Sequence, residues 1–133
     1  MEGHVMHTTT THTDHPASRR AAFGVLAGLL LPAAVTGAII HGSGWWLLAA
    51  FAIGPDLALL FGISSTLEKG RLHPRAVPLY NALHSYWGPG LLAAAAIILP
   101  AGYLIGALAW AFHISLDRAL GYGMRTRDGF QRS

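Results

Sequence analysis

The sequence predicts an all-α protein, a small four-helix transmembrane bundle behind a disordered N-terminal tail. Three observations predict it. Of 133 residues, 53% are hydrophobic and only 11% charged, whereas a soluble domain carries about a quarter charged residues. The apolar residues gather in four long stretches, and the basic residues stand at the ends of those stretches. Cysteine is absent, which excludes disulfides, thiolate metal sites and cysteine nucleophiles. The net charge of +3 sits at the ends of apolar stretches, so it reads as membrane topology and not as a nucleic-acid groove.

Residues 1–18 hold His4, His7, His12 and His15, a threonine run and almost nothing apolar. So polar a segment cannot bury a core and is expected to be a disordered tail, its histidines solvated. Residues 19–133 form a single membrane domain. Its first span covers about 21–40, close to the ~20 residues that a bilayer requires, and Pro32 should kink it. Ser18-Arg19-Arg20 ahead of an apolar run resembles a twin-arginine export signal. The run is long enough to span, however, and no passenger domain follows, so a retained span is expected.

The second span covers about 45–66, with Gly54-Pro55-Asp56 near its middle. The third covers about 78–99, with Gly88-Pro89-Gly90 as a kink or break. Pro100-Ala101-Gly102 is a tight turn into the fourth span, about 101–120, and Gly121-Tyr122-Gly123 is a helix cap and turn. Gly24 with Gly28, and Gly102 with Gly106, repeat the small-xxx-small spacing of packed membrane helices; packing within the bundle is expected.

Charge fixes the orientation. Arg19 and Arg20 precede span one, Lys69, Arg71 and Arg75 fill the second connection, and Arg118, Arg125, Arg127 and Arg132 end the chain. The other two connections carry neither Lys nor Arg. The positive-inside rule therefore predicts a multi-pass protein of the bacterial cytoplasmic (inner) membrane with both termini cytoplasmic. Trp45, Trp46 and Tyr103 are expected at the outer interface, and Tyr80, Tyr86, Trp87 and Tyr122 near the inner one.

Polar residues inside the spans mark the site. Asp56 lies in span two, Asn81 and His84 at the inner end of span three, and His113 and Asp117 at the inner end of span four. Spacings of three and four put each pair on one helical face. At a rise of about 1.5 Å per residue, both histidines lie roughly 10 Å below the cytoplasmic boundary, with Asp56 somewhat deeper. Bundles build metal sites from such inward-facing groups on neighbouring helices. The expected ligands are Asp56, His84 and His113, with Asp117 as a further candidate and Asn81 as ligand or outer support. Asp117 would orient His113 or act as base, and Arg118 would meet an anionic headgroup. The cation would be zinc, manganese or magnesium. The competing expectation is a satisfied polar network, structural or proton-relaying, in which Asp56 bonds His84 or Asn81 and Asp117 bonds His113. His41 and His73 are read as solvated and Trp110 as packed.

Pro55-Asp56-Leu57, Tyr80-Asn81-x-x-His84 and the block His113-Ile114-x-x-Asp117-Arg118-x-x-Gly121-Tyr122-Gly123 resemble the bacterial membrane family catalogued as domain of unknown function forty-two-sixty. The resemblance covers about residues 20–130 and implies a small four-helix membrane protein with no established activity. The chain departs from that pattern near the start of span one, where Ala21, Ala22 and Phe23 replace an expected glutamate, and at Phe61-Gly62, where Gly-Tyr is expected. A looser similarity, carried by Pro55-Asp56, His84-Ser85 and the H-x-x-x-D helix, extends to LexA-regulated inner-membrane metal-dependent hydrolases. It implies hydrolysis at the cytoplasmic leaflet of a lipid or small-molecule ester or phosphodiester. The bilayer is the expected partner, a homo-oligomer is compatible, and nucleic acid is not expected. A transport role is weaker, because four short spans line a pathway only by oligomerising.

Overall fold

The computed structural model describes residues 16–132; the expectation for residues 1–15 of the tail lies outside them. The described residues are helical apart from turns and one antiparallel bridge, Arg125 with Gln131. The helices are α1 (Pro16–His41), α2 (Trp45–Ile53), α3 (Leu57–Leu60), α4 (Val77–Leu83), α5 (Trp87–Ala95) and α6 (Gly102–Leu120). They fall into the four apolar segments expected, in the order expected. Residues 16–18, assigned above to the tail, already belong to α1, which Pro16 starts; proline suits a first turn whose N–H would have no partner.

α6 is the central helix and packs against α1, α2 and α5. α1 runs antiparallel to it: Arg20 reaches Leu120 at one end, and Gly37 approaches Ile105 towards the other. The seam is built from small residues. Ala27, Ala34 and Ala38 are buried on α1, and the last two pack with Ile105, Leu48 and Leu108. Small side chains let two backbones approach closely, which is how helices associate where apolar burial gives little drive. α1 continues as one helix through Pro32. The glycine pattern is used within the bundle: Gly24 faces Ala119, Gly102 faces Leu47 and Gly106 faces Phe51. A Cβ on Gly28 would point into open space, with nothing beyond its own helix backbone within 4 Å among the described residues.

The second and third segments are broken, and proline breaks both. Pro55 has no N–H to continue the helical ladder, so α2 gives way to a 3-10 turn at Gly54–Asp56 before the single turn of α3. Helical structure ends at Leu60, and residues 61–66 are turns instead of the last turns of the expected span. Pro89 breaks the third segment in the same way, because a proline ring suits only the first turn of the helix that follows it. His84 ends α4 at φ −102°, ψ 16°, and α5 starts three residues later with Pro89 in its first turn. Gly88 lies against the Trp110 ring, leaving no room for a Cβ there.

α6 ends at Gly121, whose φ of 93° is left-handed, with Tyr122 N donating to Asp117 O at 2.8 Å. Glycine adopts that conformation without strain. The chain then folds back over the second connection and α4. Leu72 N donates to Gly129 O at 2.9 Å, Arg71 Nε to Asp128 O at 2.7 Å, and Arg125 Nη1 to Gly70 O at 2.9 Å. Leu72, Ala76, Val77 and Tyr80 form the small core beneath. Much of the outer surface is apolar: Trp87, Phe61, Ile97 and Ile98 are each about 80% exposed or more. Tyr80 does not join an interfacial belt; it is buried because it stacks on His84.

Candidate metal centre

The two breaks and the middle of α6 meet. Asp56 comes from the 3-10 turn after α2, His84 from the end of α4, and His113 and Asp117 from successive turns of α6. One ligating atom of each lies within 4.8 Å of the others. His84 Nε2 is 3.4 Å from Asp56 Oδ1 and 3.3 Å from Asp117 Oδ2. His113 Nε2 is 3.5 Å from the same Asp56 oxygen, 3.7 Å from the same Asp117 oxygen and 3.3 Å from His84 Nε2. Both imidazoles are buried, Asp117 is partly covered, and the Asp56 side chain is half exposed.

Backbone carbonyls decide which ring nitrogens face the centre. His113 Nδ1 lies 2.8 Å from Ala52 O, just ahead of the Pro55 break, and His84 Nδ1 lies 2.8 Å from Tyr80 O. A carbonyl oxygen only accepts, so each Nδ1 carries the proton and donates. In a neutral imidazole, Nε2 is then left with its lone pair. Two such lone pairs and two carboxylate oxygens therefore point at one small volume. Four acceptors with no donor among them repel unless a cation or added protons lie between them. This group can hold a metal ion. The N–H to carbonyl bond on the far ring nitrogen is also the usual outer support of a metal-binding histidine.

Other carbonyls at the α4–α5 break tie the centre to α6. Trp110 Nε1 donates to Leu83 O at 2.7 Å, and Arg118 Nη2 donates to His84 O at 3.2 Å. Arg118, expected at a headgroup, thus reaches back to the chain that carries His84. Trp110 packs as expected, stacking on Phe51 at 5.4 Å.

Asn81 stands apart from the four. Its Nδ2 donates to Arg125 O at 3.0 Å, and its Oδ1 accepts from Arg125 N at 2.7 Å. With both ends of its amide taken by one backbone unit, Asn81 fastens the C-terminal segment to α4 instead of facing the centre. Its partner lies 44 residues away, and no sequence spacing announces it. Tyr80 is the residue the sequence reading did not assign to the site. Its ring stacks on His84 at 3.9 Å between centroids, and its carbonyl holds His84 Nδ1. Its place four residues before His84 was the available signal. His41 and His73 are exposed, as expected.

A family model described as Domain of unknown function (DUF4260) matches residues 25–133. No curated protein and no solved structure matches the chain, and the looser likeness to metal-dependent hydrolases receives no support from these comparisons.

Proposed function

The chain belongs to the DUF4260 family, whose description assigns no reaction, and from the site's own geometry we propose a membrane-embedded, divalent-metal-dependent hydrolase. The observation that carries this is the convergence of two tautomer-fixed imidazoles with two carboxylates. We propose zinc as the ion, a metal that imidazole and carboxylate ligands suit. Ligands at about 2.0–2.2 Å around a tetrahedral ion stand roughly 3.3–3.6 Å apart. Five of the six separations among the four atoms run from 3.3 to 3.7 Å, and all six lie within 4.8 Å.

His84 and His113 would hold the ion from the buried side, with Asp117 beside them and the half-exposed Asp56 on the open side. When bound, such a metal lowers the pKa of a coordinated water and polarises an ester or phosphoryl oxygen. Asp56 is the ligand best placed to give way to water or substrate. Asp117 would then accept the water's proton, held in place by its position one turn below His113.

The setting we propose is the bacterial cytoplasmic membrane, crossed several times, with both termini inside. Among the described residues α1 is the one helix long and apolar enough to cross by itself, with a mean hydropathy of 2.2. The shorter apolar run Trp45–Leu60 lies beside the same core. The exposed apolar surface supports lipid contact, since soluble monomers rarely leave such large patches open. The basic clusters also gather: Arg20 meets the end of α6, and Arg71 and Arg125 join the second connection to the C-terminal segment.

Metal analysis of protein purified in mild detergent without chelators tests the proposal. One equivalent of zinc in the wild type is expected, with loss in His113→Ala at unchanged helicity. A wild type that holds no stoichiometric metal even after incubation with zinc would overturn it and leave a hydrogen-bonded network of histidines and aspartates.

A further inference from the structure

An open cleft of about 1090 Å³ lies where the first turns of α1 meet the end of α6 and the residues after it. Four arginines line it: Arg19, Arg20, Arg118 and Arg132. No acidic side chain among the described residues does so. Arg20 Nη2 donates to Leu120 O at 3.1 Å, and Arg118 Nη2 donates to His84 O at 3.2 Å. A guanidinium has five N–H donors, so both keep donors to spare. Among the described residues the guanidinium groups of Arg19 and Arg132 have no hydrogen-bond or ion-pair partner.

Four like charges around one cleft repel one another, and the positive end of the 26-residue helix α1 adds to their field. An anion removes that cost. Guanidinium forks match the paired oxygens of a phosphate and bind it in two-point fashion. The rest of the cleft is apolar: Phe23 lies on its α1 wall, and Tyr122, 53% exposed, stands at its other side. Beyond Phe23 the surface of α1 continues with exposed Leu26 and Leu29. An anionic pocket joined to an apolar track describes an amphiphile.

We infer that this cleft binds the phosphate of an anionic phospholipid, with the acyl chains running along α1. The inference rests on the membrane reading above and is independent of the metal centre. It is tested on the full chain in mild detergent by calorimetric titration with three probes. These are a short-chain phosphatidylglycerol, the phosphatidylcholine of equal chain length, and inorganic phosphate. Phosphatidylglycerol should bind at least tenfold more tightly than either of the others, and the affinity should fall as salt is raised. The double variant Arg19→Gln/Arg132→Gln should weaken it at least tenfold, while its thermal midpoint and metal content stay those of the wild type. Equal binding of the two lipids, or wild-type affinity in the double variant, would overturn the site. Phosphate binding as tight as phosphatidylglycerol would overturn the lipid as its source. Whether the chain remains in carbonate-washed membranes checks the membrane reading separately.

Discussion

The α1–α6 pair and the two proline-broken segments beside it solve the same problem in opposite ways. Along α1 and α6 the backbone satisfies itself, and contact is made by alanine and glycine at close range. In the other two segments Pro55 and Pro89 end helices inside the bundle. The carbonyls at and near those ends are taken up by side chains of α6: Ala52 O by His113, Leu83 O by Trp110, and His84 O by Arg118. A continuous helix supplies a frame. A broken one supplies fixed acceptors, and those acceptors orient the chemistry.

That contrast can be broken experimentally, most severely at the ligands. Replacing His84 and His113 together with alanine should abolish metal binding, reducing affinity by more than the roughly 10–100-fold that supporting residues cost. Equilibrium dialysis against zinc measures it. Gly88→Leu comes next. It forces the α5 end of the break off Trp110 and should destabilise the protein by about 1–3 kcal/mol, as overpacking does, while also weakening zinc binding. Its counterpart is Ala38→Leu, which overpacks the α1–α6 seam against Ile105. A loss of about 1–3 kcal/mol in detergent unfolding is expected there too, with zinc affinity retained. If Ala38→Leu cost metal as Gly88→Leu does, the division between frame and site would be lost.

Asn81→Ala should cost stability on the same scale as these while leaving the metal centre untouched. It removes two hydrogen bonds worth about 0.5–1.5 kcal/mol each and frees the C-terminal segment. Faster tryptic cleavage after Arg125 and Arg127, with unchanged metal content, would show it. Leu29→Ala, on the exposed face of α1, should change unfolding by less than about 0.5 kcal/mol.

Much of the site was legible because its parts obey short-range rules. His113 and Asp117 share a helical face by spacing alone, and the break at Pro89 was expected from its sequence, whereas the one at Pro55 was not. Asp56 and His84 were expected at similar depth, and they do converge with His113. The roles of Asp117 and Asn81 were less legible. Asp117 was expected as a further ligand or as support or base, and spacing could not choose among these; its Oδ2 stands as near to His84 Nε2, at 3.3 Å, as any atom in the group. Asn81 shares a face with His84, but the C-terminal segment claims it first. Where the second segment ends was also beyond the pattern. Residues 61–66 were expected to extend the span, but Phe61 N and Gly62 N close tighter i→i−3 bonds to Ala58 O and Leu59 O, and His73 N pairs with Gly62 O.

By itself, the sequence determined the all-helical class, the four apolar segments, the break at Pro89 and the pairing of His113 with Asp117. Each of these depends on the chemistry of neighbouring residues along the chain. Only the tertiary structure decided that the cleft arginines come from both ends of the chain, that Asn81 serves the C-terminal segment, and that both imidazoles turn Nε2 inward. The last depends on two carbonyl oxygens. Tyr80 O is one helical turn from its histidine, but Ala52 O is 61 residues from His113 and meets it only when α2 packs on α6.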